Sequence, residues 1–254
     1  MTLPRTPSFR LDGRLALVAG ASSGIGLGAA VALAEQGARV VLVARKANAL
    51  QAVADELLQA GFDVVAQPLD ITDVQATAQA VADHGPFDVL VNSAGLARHS
   101  AAMATTPDDF DAVTNLNVRA AYFLAQAVAK GMIAAKKPGS IITVSSQMGH
   151  VGGIERAVYS ATKHAVEGMT KSMAIEWGPY GIRVNTLCPT FIRTPLGEQT
   201  LQNPERKAWI LSKIKLGRVG EVVDIMGAVA FLASDASSLI TGTGLMVDGG
   251  WTAD

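Results

Sequence analysis

Leu15-Ala-Leu-Val-Ala-Gly-Ala-Ser-Ser-Gly-Ile-Gly26 is the stretch on which the reading of this chain turns. Five apolar residues run into glycines at 20, 24 and 26, spaced Gly-x3-Gly-x-Gly, and then into Ala-rich sequence of helical length. Glycine turns sharply and lets the backbone come close to a pyrophosphate. The free N–H groups and dipole of the helix start then favour its negative charge. A tight strand-to-helix turn that binds nothing would look the same, so the glycines alone leave the matter open. Their place at the head of a strand-helix-strand unit favours a dinucleotide.

Working outward, short apolar runs alternate with helical stretches. Candidate strands are Leu15–Ala19, Arg39–Val43, Asp63–Gln67, Val89–Asn92, Ile141–Ser145, Arg183–Cys188 and Leu245–Val247. They are nearly all apolar rather than alternating, as strands covered on both faces are. Helical candidates lie near 25–36, 47–60, 73–83, 108–135, 158–177 and 221–233. The alternation implies right-handed crossovers. The expected fold is α/β: a doubly wound, mostly parallel Rossmann-type sheet of about seven strands with helices on both faces. Thr106-Pro107-Asp108-Asp109 supplies an N-cap, a proline at the first helical position and early acids, and Asn203-Pro204-Glu205 repeats the device. The segment 194–216 is longer than most connections and reads as a substrate lid. With no repeat and no Gly/Ser linker, residues 1–254 read as a single domain.

The second strand candidate ends Val-Leu-Val-Ala44-Arg45-Lys46. NAD sites usually place an acid there to bond the ribose 2′-hydroxyl, but here Ala44 is followed by two cations. An adenosine 2′-phosphate would meet no repulsion and could pair with Arg45, so NADP(H) is favoured over NAD(H).

Composition narrows the field. The 254 residues are 49% hydrophobic and 17% charged with a formal net charge of −1, so no overall field attracts nucleic acid or an anionic membrane. One cysteine, Cys188, forbids an internal disulfide; with no base beside it in sequence it reads as a buried strand residue. Met1–Arg14 has no apolar core of a secretory signal, and no apolar run is long enough for a membrane span. The expectation is a cytoplasmic protein. No metal site is expected, because His84, His99, His150 and His164 show no paired ligand spacing.

Tyr159-Ser-Ala-Thr-Lys163 opens a helix after Ser145-Ser146 at a strand end. Tyr159 and Lys163, four apart, share a helix face. A phenol that trades protons near pH 7 must be shifted by about three units from its pKa near 10, or about 4 kcal/mol. A neighbouring ammonium and an oxidised nicotinamide ring both favour the phenolate. Alone, Tyr-x3-Lys is an ordinary surface pair; its order after a dinucleotide turn changes its weight.

Taken together these motifs resemble the short-chain dehydrogenase/reductase family over nearly the whole chain, from Leu11-Asp-Gly-Arg-Leu to Val247-Asp-Gly-Gly250. The matching residues are Gly20-Ala-Ser-Ser-Gly-Ile-Gly26, Asp70, Asn92-Ser-Ala-Gly95, Asn117, Ser146, Tyr159-x3-Lys163 and Pro189-x4-Thr194. The resemblance implies that Tyr159 is the acid/base and that Ser146 orients the carbonyl. It implies that Lys163 bonds the nicotinamide ribose and acidifies Tyr159, and that Asn117 holds a water in a proton relay. It places the cofactor on Gly20, Ser22, Ser23, Gly24, Ile25 and Gly26, on Arg45 and Lys46, on Asp70 and Ile71, and on Asn92, Ala94 and Gly95. Tyr159, Lys163, Pro189, Thr190, Ile192 and Thr194 complete that set. It further implies a homotetramer or homodimer with helices 108–135 and 158–177 at one interface and the C-terminal strand at another.

Three positions depart from the family pattern: Ala19 for Thr, Ser93 for the second Asn, and Thr190 for the Gly after Pro189. The last adds a side chain beside the nicotinamide. Before Tyr159, the residues Gln147, Met148, His150 and Arg156 either face substrate or only shape a loop; the substrate pocket is expected to be built from 147–156, 190–196 and the lid. Arg98 reads as a solvated loop cation, Trp209 as packing or pocket wall and Trp177 as an anchor at a helix end. The reaction expected is interconversion of a secondary alcohol and a ketone, on a polyol, sugar acid, 3-oxoacyl group or cyclic ketone. A non-catalytic dinucleotide sensor on the same fold is the alternative; a sugar-nucleotide epimerase ranks last.

Overall fold

The computed structural model describes residues 2–253, apart from the side chains of Leu196 and Gln199. Seven strands, β1 (Leu15–Ala19), β2 (Arg39–Ala44), β3 (Val64–Pro68), β4 (Val89–Asn92), β5 (Gly139–Val144), β6 (Ile182–Pro189) and β7 (Gly244–Val247), form one sheet in the order 3-2-1-4-5-6-7. Every pairing is parallel. Each expected strand is present, with bounds moved by no more than two residues.

The sheet is buried on both faces, which is why its strands read as unbroken apolar runs. Ala16, Val18, Val40, Leu42, Val89, Val91 and Ile142 point into one core. Leu17, Val41, Val43, Leu90 and Ile141, one step out of phase, point into the other. Helices α1 (Gly24–Glu35) and α2 (Ala47–Gln59) close the first core with Leu33, Leu50 and Leu57. Helix α3 (Val74–His84) closes the second with Val81. Asp73 caps α3, its carboxylate accepting from Gln75 N and Ala76 N.

The expected helix over 108–135 is not continuous. Helix α4 (Pro107–Thr114), capped by Thr106, passes into a π-helical turn over Asn115–Ala120 before α5 (Ala121–Ala134). Widening of this kind re-aims a side chain within an otherwise regular helix, and Asn117 sits at its middle, buried. Helix α6 (Ala157–Trp177) follows β5 and packs against β6. Two short helices, α7 (Pro195–Leu201) and α8 (Pro204–Lys213), capped by Thr194 and Asn203, fill the expected lid segment. Helix α9 (Val223–Ala233) returns to the first core beside α1.

Strand order reverses between β1 and β4, so the connections leaving their carboxyl ends diverge and open a crevice there. The glycine turn, Asn92-Ser-Ala-Gly95 and Ser145-Ser146 all stand at this edge. Among the described residues no helix is long and apolar enough to cross a membrane.

Candidate active site

A cleft of about 470 Å3 lies along this edge. Gly20 follows β1 with φ +80°, and a Cβ there would stand 2.9 Å from Ala94 N. At Gly26 a Cβ would stand 2.1 Å from Gly20 O. Backbone contact that close draws the start of α1 against the end of β1, which only glycine permits. Ser23 occupies the N-cap of α1 without a side-chain cap hydrogen bond. The helix start is therefore left for another acceptor, unlike the capped starts of α3, α4, α7 and α8.

Beyond the turn, Arg45 and Lys46 are exposed on the cleft wall just after buried Ala44. Asp70 lines the wall beside Ile71, its Oδ1 accepting from Thr72 N at 3.0 Å and Thr72 Oγ1 at 2.8 Å. The Thr72 bonds, with a contribution from Arg45, hold Asp70 below the usual carboxylate range against slight desolvation. An uncapped helix start, a cationic far end and a buried Thr190 Oγ1 with no hydrogen-bond partner fit a phosphate-bearing dinucleotide with a polar ring at its near end.

Ser146, Tyr159 and Lys163, the residues expected to carry the chemistry, all line that near end. Ser146 Oγ donates to Gln147 Oε1 at 2.7 Å and accepts from Met148 N at 3.1 Å. Lys163 Nζ lies 5.6 Å from the centre of the Tyr159 ring and donates to Val144 O at 2.8 Å. Burial pulls Lys163 down to about 8, against the opposing pull of Cys188 and Glu167. Tyr159 is moved the other way from expectation. Burial raises its pKa, with the Ser146 side chain and the Arg156 guanidinium only partly offsetting it. The protein alone thus keeps the phenol protonated near neutral pH. Lys163 stands beside the aromatic face and spends one proton on a backbone carbonyl, so its ammonium does not reverse the cost of enclosure.

Of the residues expected to hold cofactor, Gly20, Ser22, Ser23, Gly24, Ile25, Arg45, Lys46, Asp70, Ile71, Ala94, Gly95, Tyr159, Lys163, Pro189, Thr190, Ile192 and Thr194 all line this one cleft. Three sites stand behind the wall instead. Gly26 serves the close packing just described, and Asn92 uses its Oδ1 to accept from Ala94 N at 3.2 Å. Asn117 Oδ1 accepts from Leu96 N at 2.8 Å, while its Nδ2 donates to Leu96 O and Thr162 Oγ1. Beside Gly95, an added Cβ would meet Asn117 Oδ1 at 3.6 Å and Lys163 Nζ at 3.9 Å, so the two polar atoms share that corner.

Gln147, Met148 and Arg156 do line the cleft; His150 is not among its lining residues. His150 approaches Glu167 and Cys188 instead. Arg156 is buried, and its Nη1 has no hydrogen-bond partner. His99, given no role from sequence, packs edge-on to Tyr159 with ring centres 6.1 Å apart. Desolvation, then Arg156 and Arg206, pull its pKa down to about 4; solvent at its exposed edge limits that shift without reversing it, and the ring is neutral at pH 7. Phe191 and Thr200 also line the cleft. These two fall in stretches expected to build the pocket, whereas nothing in local sequence marked His99, which a loop distant in the chain brings to them. Arg98 pairs with Asp109 at 2.7 Å, Trp209 packs edge-on to Trp251, and Trp177 packs against the second core.

The chain matches, over residues 20–252, the family described as enoyl-(acyl carrier protein) reductase. It is 41% identical to the L-xylulose reductase of Bos taurus over 96% of this chain and 99% of that protein. It is 39% identical to the gluconate 5-dehydrogenase of Gluconobacter oxydans over 96% of each. The crystal structure of a gluconate 5-dehydrogenase from Burkholderia cenocepacia J2315, in complex with NADP and tartrate, shares the fold with a TM-score of 0.92. That chain is 37% identical, with 97% of this chain and 98% of that one covered. With the Ser146, Tyr159 and Lys163 side chains gathered at one end of a dinucleotide-shaped cleft, these likenesses set aside the non-catalytic sensor: the chain belongs to the short-chain dehydrogenase/reductase family, NAD(P)-dependent oxidoreductases acting on CH-OH groups.

Proposed function

We propose that this enzyme prefers NADP(H) and interconverts a secondary alcohol and a ketone on a small polyhydroxylated substrate, a polyol or a sugar acid. The observation that carries the proposal is one cleft with exposed Arg45 and Lys46 at one end and Tyr159, Ser146 and the free Nη1 of Arg156 at the other. The turn Gly20–Gly26 and the start of α1 would hold the pyrophosphate, and Arg45 with Lys46 the adenosine 2′-phosphate. Asp70 and Ile71 would flank the adenine, while Lys163, Thr190, Ile192 and Thr194 would hold the nicotinamide end. When bound, the nicotinamide supplies or accepts the hydride.

The chain's own groups handle the proton. Tyr159, protonated at neutral pH, donates its hydroxyl proton to the carbonyl oxygen in reduction and recovers it in oxidation. Ser146 turns its hydroxyl from Gln147 Oε1 to the same oxygen and keeps it within reach of the phenol. Lys163 holds positive charge beside the ring, and a relay water would sit in the corner beside Gly95 that Asn117 Oδ1 and Lys163 Nζ share. Arg156 presents an N–H to a carboxylate or hydroxyl oxygen of substrate, since an unpaired buried guanidinium donor is costly until it is met. Neutral His99 and Gln147 offer hydrogen bonds to further hydroxyls. Residues 194–216 act as the lid of a single domain: Leu201, Ile210 and Ile214 pack with Met148, and Arg206 pairs with Glu155 at 2.7 Å.

The names of the relatives support the substrate class, as do NADP and tartrate, a hydroxylated diacid, in the Burkholderia complex. Exposed Phe110, Tyr122 and Ile175 on α4, α5 and α6 support a homotetramer or homodimer through those helices, and we place the enzyme in the cytoplasm. Steady-state kcat/KM should be measured with NADPH and NADH on L-xylulose, and with NADP+ and NAD+ on gluconate. Turnover of at least one substrate with a tenfold or greater preference for NADP(H) is expected. A preference for NAD(H), or no turnover with either substrate, would overturn the proposal.

A further inference from the structure

Directly behind the cleft floor, three potential ligands from three different elements meet. Cys188 on β6 is fully buried, Glu167 on α6 is 9% exposed at its side chain, and His150, after β5, is 37% exposed. Cys188 Sγ lies 3.4 Å from Glu167 Oε1 and 3.5 Å from His150 Nε2, and His150 Nε2 lies 3.6 Å from Glu167 Oε2. Zinc held tetrahedrally by thiolate at about 2.3 Å, imidazole at about 2.0–2.1 Å and carboxylate at about 2.0–2.2 Å keeps those donor atoms about 3.4–3.6 Å apart. The thiol meets Glu167 Oε1 and the imidazole meets Oε2, so the edges match those lengths pairwise, and one donor atom from each residue lies within 4.8 Å of the others.

Two further observations point to a ligand. Ser145 Oγ is buried beside the Cys188 thiol and, that thiol apart, has no hydrogen-bond partner. Thr186 Oγ1 donates to Glu167 Oε2 at 2.9 Å, the kind of outer bond that orients a ligating carboxylate. Space is kept by glycine: a Cβ at Gly244 would stand 3.1 Å from both Cys188 Sγ and Glu167 Oε2. His150, half open to solvent, leaves a way in.

We propose that His150, Glu167 and Cys188 form a binding site for one thiolate-seeking divalent cation of the zinc type, with a water held by Ser145 completing the shell. Coordination replaces the thiol proton, which passes to solvent, and no electron is transferred. Hard cations such as Mg2+ are excluded by the sulfur ligand. The ion clips together β6, α6 and the loop after β5, the elements that carry Pro189, Tyr159 with Lys163, and Ser146.

The test uses the full-length protein, stripped with a chelator and titrated with Co2+ as a spectroscopic probe and with Zn2+ against a chromophoric competitor. One equivalent is expected to bind, giving a thiolate-to-cobalt charge-transfer band and tetrahedral visible bands that Zn2+ abolishes and Mg2+ does not. His150→Ala, at an exposed position, should fold, lose the band and weaken Zn2+ binding by more than the about 10–100-fold typical of an outer-shell partner. Cys188→Ser should lose the band as well; if it fails to fold, His150→Ala decides. Absence of the charge-transfer band in the parent protein, or a band and affinity that survive His150→Ala, would overturn the proposal.

Discussion

Lys163 is buried, with Nζ bonded to Val144 O, and its pKa is pulled from 10.5 down to about 8. Its charged form is disfavoured by folding, so below pH 8 it costs about 3 kcal/mol. Between pH 8 and 10.5 the unfolded chain binds the extra proton, and stability rises with pH across that window. Lys163→Met should abolish turnover yet raise Tm at pH 7, the net gain in stability being about 1–2 kcal/mol once the lost hydrogen bond is counted. That gain should shrink as thermal melts are repeated towards pH 10.5, and a lower Tm at pH 7 would contradict the assignment. Arg45→Ala should raise KM for NADPH about 10- to 100-fold, as loss of a charged hydrogen bond does, and leave KM for NADH nearly unchanged. Equal effects on the two cofactors would remove Arg45 from the 2′-phosphate. At this scale the spacing of Tyr159 and Lys163 was legible because four residues place two side chains on one helix face. The sign of the phenol's shift was not, since enclosure depends on what surrounds the ring. Nor was the meeting of Cys188 with His150, 38 residues away, and with Glu167.

Strands and most helices could be read from apolar pattern because the central strands are sealed on both faces and stretches of helical length separate them. The π turn at Asn115–Ala120 escaped because a locally wider helix leaves the hydrophobic pattern on either side intact. Helix α7 escaped too, being too short to show a period, although Thr194 and Pro195 start it. Asn117→Ala removes three hydrogen bonds from a buried amide and strands Leu96 N and O. Loss of about 2–3 kcal/mol is expected, together with a fall in kcat at nearly constant KM, because the wall at Leu96 and the corner beside Gly95 depend on it. Denaturant melts and steady-state kinetics on the same variant check both. Unchanged kcat would confine Asn117 to structure.

The whole molecule makes its site where the strand order reverses; alternation along the chain was enough to expect the doubly wound sheet, but not its strand order. Its cofactor end was readable from glycines and cations contiguous in sequence. Its substrate end was readable in part: the stretches 147–156, 190–196 and the lid supply Arg156, Phe191 and Thr200 as expected, whereas His99 comes from a separate loop and meets them only in the folded state. Ligand that binds only the folded protein stabilises it, by about 2.7 kcal/mol at one hundred times Kd. NADP+ should therefore raise Tm more than NAD+ at equal concentration, and the reverse order would oppose the cofactor assignment. Transfer of a proton by Tyr159 is tested most directly by Tyr159→Phe, assayed for turnover and, by fluorescence titration, for NADPH binding. The expected result is a loss of kcat of at least about 10²–10⁴-fold with cofactor affinity nearly unchanged. Turnover equal to that of the parent enzyme would contradict it.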